Sequence, residues 1–265
     1  MADPVSLFGA TVAGPDRDVD LARASLAVAA GPDPSLDPGP SLDALDRFAE
    51  GLDQRGGLEA LRQRLFSELA FTGNTADYYD EENSFLNRVI ERRLGIPLTL
   101  SIVTLETGRR AGIELDGIGM PGHFLVRDRA TGVFVDSFYG GEVLDVPGCE
   151  ARWRQVSGAG PEVPFLPTML APVGKRAILA RMLMNLASIY RHKGRFEDLE
   201  WVLRMRLEIP EVEREEALSL AETLSAMGRF DEAAIELESR AAEDPEPDRS
   251  ATFRTTARRM RAHLN

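Results

Sequence analysis

FTGNTADYYDEENSFLNRVIERRLGIPLTLSIVTLETGRRAGIELDGIGMPGHFLVR, residues 71–127, changes its hydrophobic period part-way along, and that change decides the fold class. Residues 71–82 carry turn formers and unusual aromatic content, as expected of a loop. NSFLNRVIERRLG (83–95) has apolar residues at helical spacing and predicts a helix ended by Gly95. Pro97 suits the first turn of a second helix, through about Ala111, with Gly112 as its stop. The period then shortens. IELDGIGM, HFLVR and, further on, VFVDSF (133–138) are short apolar runs broken by PG and DRATG, the pattern of antiparallel strands. The expected fold class is α+β, with helices packed on a small antiparallel sheet.

Upstream, residues 20–30 read as a short helix ended by Gly31-Pro32. SLDALDRFAEGL (41–52) and LEALRQRLFSELAF (58–71) read as two more, with Ser41 as an N-cap. Downstream, PEVPFLPTMLAP (161–172) precedes a strongly helical tail with an internal repeat. Gly194-Arg195-Phe196 recurs as Gly228-Arg229-Phe230, 34 residues on. Ala187 and Ala221 stand at the same spacing, as do Leu203 and Leu237, and Tyr190 matches Leu224. Pro210 and Pro245 close the units, one residue out of register. The period resembles the tetratricopeptide repeat, a helix–turn–helix unit that stacks on its neighbours. The expected organisation is a core over 1–160, a Pro-rich linker over 161–174 and helical repeats over 175–265.

The 265 residues carry a formal charge of −12, with 43% apolar and 28% charged residues. That balance fits a globular chain and excludes a main role in gripping nucleic acid or anionic lipid, which need a basic surface. The lysines are Lys175 and Lys193 alone, so neither a P-loop nor a Schiff-base lysine fits within the first 174 residues. A single cysteine, Cys149, forbids an internal disulfide and fits a reducing compartment. The N-terminus has no secretory pattern, and LGIPLTLSIVTL (94–105) is too short for a membrane span, so a cytoplasmic location is expected.

The candidate chemistry centres on His123 and Asp136. If DRAT (128–131) is the hairpin loop and Val126 pairs with Val133, His123 stands directly opposite Asp136, with Cβ atoms roughly 4.5–5.5 Å apart. A carboxylate there fixes the imidazole tautomer, the base-and-orienter half of a catalytic triad. Spacing alone leaves open an ordinary structural hydrogen bond. Ser101 shares a face with Pro97 on the helix and is a candidate nucleophile; Thr99 and Thr104 lie on the same helix. A solvent or backbone hydrogen bond is the more common role for such a serine. Cys149 reads as a buried or incidental thiol. GIGMPG (117–122) matches a dinucleotide fingerprint literally, but Pro121 and the strand that follows make the match accidental. His192 and His263 belong to the tail, away from His123, so neither metal nor cofactor is expected.

NSFLN, RRLGIP and PGHFLVR, with VFVDSFYGG (133–141), resemble the transglutaminase-like proteins of the SirB type, which join a papain-like transglutaminase core to C-terminal tetratricopeptide repeats. In the wider superfamily a Cys starts the central helix, with His and Asp on the adjacent strands; the resemblance assigns the latter two to His123 and Asp136. Counted back from Arg109-Arg110-Ala111-Gly112, the Cys position falls at about Pro97, and no cysteine is present there or nearby. Asn83, Asn87, Pro97 and Thr99 are the expected lining of the cleft. The resemblance thus implies a transglutaminase-like protein without standard thiol catalysis, binding a protein or peptide through its repeats. The alternative is a hydrolase or acyl-transferase with a Ser101–His123–Asp136 triad.

Overall fold

A computed structural model describes residues 3–210, 212 and 216–262. Four helices come first: α1 (Pro4–Val12), α2 (Leu21–Ala29), α3 (Gly39–Ala49) and α4 (Gly57–Arg62), the last running on as a wider π-type turn over Gln63–Glu68. Asp3 and Asp20 cap α1 and α2, each carboxylate accepting from a backbone N–H three residues on. Two short strands, β1 (Thr72–Gly73) and β2 (Leu94–Gly95), pair in parallel. Between them lie a tight turn (Glu81–Ser84) and helix α5 (Leu86–Arg92). The helix expected over 83–95 is therefore shorter. Asp80 caps the Glu81–Ser84 turn, and Arg93, in the left-handed conformation (φ 59°), ends α5. Gly95 is instead part of β2, where a Cβ would come 2.9 Å from Thr99 Oγ1.

Helix α6 (Pro97–Arg110) is buried almost all round from Pro97 to Gly108. This accounts for its apolar run: a helix without a polar face belongs in a core. It packs on the first two strands of an antiparallel sheet with order β3 (Leu115–Ile118), β4 (Leu125–Asp128), β5 (Phe134–Asp136), β6 (Glu142–Leu144). Three strands were legible in the sequence; the short edge strand β6 was not. Helix α7 (Val146–Ser157), capped by Asp145, brings Cys149 and Trp153 against Leu125, Phe134 and Leu144 to form a second apolar cluster. The GIGMPG segment leaves β3 and turns into β4 without opening a helix.

The Pro-rich stretch lies against the sheet: Pro172 bridges to Ile118, and Val173 donates to the Gly117 carbonyl at 2.9 Å. Among the described residues, the tail is all helical: α8 (Lys175–Lys193), α9 (Phe196–Leu207), α10 (Glu216–Ala226), α11 (Phe230–Glu243) and α12 (Pro247–Ala262). The 34-residue recurrence is repeated in backbone detail. Gly194 and Gly228 both take positive φ; Arg195 N–H and Arg229 N–H reach back to Tyr190 and Leu224 carbonyls, each at 2.9 Å. Helix α8 packs against α2, α6 and the Glu81–Ser84 turn, so one apolar core runs from the N-terminal helices into the tail. No described helix is long and apolar enough to cross a membrane.

Candidate functional site

The first turn of α6, the start of β4 and the β5–β6 turn converge on His123. His123 is 2% exposed, and its Nε2 lies 2.9 Å from Asp136 Oδ2. The pairing that was expected to bring them together is not the one that does. Val126 pairs with Val135, not Val133, so Asp136 stands opposite Leu125 and reaches His123 on the diagonal. The reason lies in the loop. Gly132 takes a left-handed conformation (φ 75°) and joins the turn, while the Asp128 carboxylate gathers the N–H groups of Ala130 and Thr131. A shift of two residues preserves strand parity, which is why the contact survives the wrong register.

Asp136 is a hub. Its Oδ1 accepts from the backbone N–H groups of Phe138 (3.1 Å) and Tyr139 (3.3 Å). Its Oδ2 also forms an ion pair with Arg152 Nη1 at 3.3 Å, and Arg152 in turn pairs with Glu142. The Arg152 guanidinium lies 3.6 Å over the Tyr139 ring. An ionised carboxylate only accepts, so His123 Nε2 donates and Nδ1 is left free to accept or, in the imidazolium, to donate. Arg152, on α7, completes this arrangement and had no signal in the sequence.

His123 and Pro97 line one cavity of about 30 Å³, together with Tyr78, Leu98, Arg181 and Asn185. The residue facing the imidazole at the head of α6 is thus a proline, without a nucleophilic atom. Ser101 lies one turn deeper, and its buried hydroxyl has no hydrogen-bond partner, so it is not joined to His123. The geometry accounts for this: His123 meets the first turn of α6, and one helical turn carries a side chain about 5.4 Å further along the axis. Thr99 Oγ1 donates to the Asn83 carbonyl (2.7 Å) and accepts from Ile96 N–H (3.2 Å). The Asn83 amide is spent on Asn74 and the Asp77 carbonyl. Both brace the turn behind the cavity rather than line it. Asn87 is also outside the lining, with a buried, unpartnered Oδ1.

Cys149 is fully buried in the cluster under α7. Burial, with Asp145 and Asp136 nearby, pushes its thiol up to about 12. A thiol so protonated at neutral pH is a poor nucleophile. Among the described residues no group of three His, Cys, Asp or Glu side chains is placed to hold a metal ion. His192 lies in the last turn of α8, and His263 lies outside the described residues.

A buried pair of Asp136 on β5 and His123 just before β4, facing the head of a central buried helix, accords with the family match. The transglutaminase-like superfamily model matches residues 41–184. The chain belongs to the transglutaminase-like superfamily. It is 43% identical over 143 residues to a UPF0162 protein of Xylella fastidiosa, covering 53% of this chain and 51% of that one. A UPF0162 protein of Pseudomonas aeruginosa is 29% identical over 181 residues, 66% of each chain. The human F-box only protein 21 is 31% identical over 147 residues, 52% of this chain and 22% of the human one. The chain spans about half the length of the first UPF0162 relatives it matches. No solved structure matches it.

Proposed function

We propose that this transglutaminase-like chain is of the SirB type, has given up thiol catalysis and acts in the cytoplasm as a protein-binding or regulatory module. In this reading residues 1–160 are the core and 161–174 a linker. Residues 175–265 are tetratricopeptide-type helices that hold a protein or peptide partner. The observation that carries the proposal is that Pro97 faces His123 while the one thiol is buried at Cys149. The cavity beside His123 is too small for an acyl-enzyme to form without movement of α8 or the Tyr78 loop.

Incubating the purified protein with glutamine-amide, peptide and thioester substrates tests this. No turnover above buffer is expected. Turnover that His123→Ala abolishes overturns the proposal. The rival serine enzyme makes a separate prediction, labelling of Ser101 by a fluorophosphonate; an unpartnered hydroxyl away from the base argues for no labelling.

A further inference from the structure

Four polar side chains meet at the cavity beside His123 with hydrogen-bonding capacity unspent. His123 Nδ1, the half-exposed Tyr78 hydroxyl and the Asn185 amide make no hydrogen bond with a described residue. Arg181 gives one N–H to the Met120 carbonyl (3.0 Å) and lies 5.7 Å over the Phe124 ring; among the described residues its other N–H groups have no acceptor and no carboxylate pairs with it. Leu98, at the second position of α6, presents a backbone N–H from the turn where a helix has no acceptors of its own. Tyr78, Asn185, Arg181 and the Leu98 N–H are all donors, and protonated His123 Nδ1 would be another. Among the described residues no acidic side chain lines the cavity. In a chain of net charge −12, with most arginines paired to carboxylates, this is an anomaly that asks for an anion.

We infer that the cavity is a recognition site for a single carboxylate group of a partner, held by Arg181, Asn185, Tyr78 and His123. The inference rests on the reading above that this site has given up thiol catalysis, and assigns it a binding role of its own beside that of the repeats. About 30 Å³ has room for roughly one or two waters, or for the two oxygens of one carboxylate. Burial makes the charged form of Arg181 costly and lowers its pKa, so a bound carboxylate offsets a cost the free protein carries. Burial raises the Tyr78 hydroxyl, which keeps it a neutral donor at pH 7. A second cavity of about 470 Å³, lined by Tyr79, Ile189 and His192, lies further along α8.

The test is an NMR titration of the full chain, following the His123 imidazole and the Arg181 guanidinium N–H. The probes are N-acetylglycine, N-acetylglycinamide and an aspartate blocked at both backbone ends. Saturable shifts with N-acetylglycine, at least about tenfold weaker with the amide, are expected, as is about a tenfold weakening by Arg181→Gln. Tighter binding of N-acetylglycine than of blocked aspartate assigns a chain terminus as the natural ligand; equal binding assigns any accessible carboxylate; both uphold the site. Equal binding of acid and amide, no binding, or an unchanged affinity in Arg181→Gln overturns it. If Arg181→Gln does not fold, Asn185→Leu serves, with a weakening of a few-fold expected and none refuting. Absence of turnover leaves this outcome untouched, so failure here is distinct from failure of the non-catalytic reading.

Discussion

Replacing Asp136 by Ala measures how far the catalytic-looking pair has become a structural hub. The carboxylate is fully buried and serves four groups: His123 Nε2 at 2.9 Å, Arg152 at 3.3 Å and the Phe138 and Tyr139 N–H groups at 3.1 and 3.3 Å. Removing it leaves three donors without their acceptor and a buried guanidinium with only Glu142 as carboxylate partner among the described residues. Breaking a buried ion pair from one side costs about 3–5 kcal/mol, and the donors share the same vacated space, so their costs are not added in full. At roughly 2–4 °C per kcal/mol for a chain of this size, the melting temperature should fall by roughly 6–20 °C. Asp136→Asn keeps an oxygen for the two backbone donors but loses the charge and turns an NH2 toward His123 Nε2, which a neutral imidazole meets by switching tautomer, so it should cost about 1–3 kcal/mol. Urea denaturation followed by circular dichroism, with melting in parallel, reads both. A double-mutant cycle between His123→Ala and Arg152→Met adds a coupling of about 0.5–3 kcal/mol, because the two side chains share one carboxylate oxygen. A cost below about 1 kcal/mol for Asp136→Ala, or equal costs for Ala and Asn, would refute the hub.

Reactivity separates the native thiol from the missing one. Cys149 should react negligibly with iodoacetamide at pH 7, while Pro97→Cys places a thiol in the His123 cavity that reacts quickly and slows on His123→Ala; fast labelling of the parent protein would contradict the buried site. The Asp116 carboxyl is held below its ordinary 3.8: burial alone would raise it, but the Arg129 and Arg127 guanidinium groups outweigh that. Its contribution is therefore present above about pH 4 and lost as pH falls through the lowered value, so Asp116→Asn should flatten the acid limb of a stability–pH curve; an unchanged limb counts against the pairing. Gly141 has φ 74°, and a Cβ there would lie 2.2 Å from the Phe66 ring, so Gly141→Ala should cost about 1–3 kcal/mol by strain and overpacking, read by urea denaturation.

How much of this was legible depends on how local each signal is. The central helix announced itself by Pro97, an uncharged run rich in apolar residues and Gly112. The tail helices announced themselves by a 34-residue recurrence that the positive-φ glycines at 194 and 228 repeat in space. The early strands showed their short period, whereas β6, three residues with Glu142 and Val143 exposed, carried no alternation to read. Gly95 misled because a glycine after a helical run usually caps it; here Arg93 took the left-handed position and freed Gly95 for β2.

The sequence by itself determined the fold class and the lack of a thiol at the head of the central helix, because each follows from residue identity and short-range periodicity; it offered His123 and Asp136 as neighbours without settling their register. Tertiary structure decided the rest. The hairpin register turned on the φ angle of Gly132, which no pattern of apolar residues encodes. The role of Asp136 as a hub required Arg152 from α7, and the cavity required Arg181 and Asn185 from α8, about 60 residues beyond His123. Such neighbours are chosen by how helices pack on a sheet through burial, which acts between surfaces with no fixed separation along the chain.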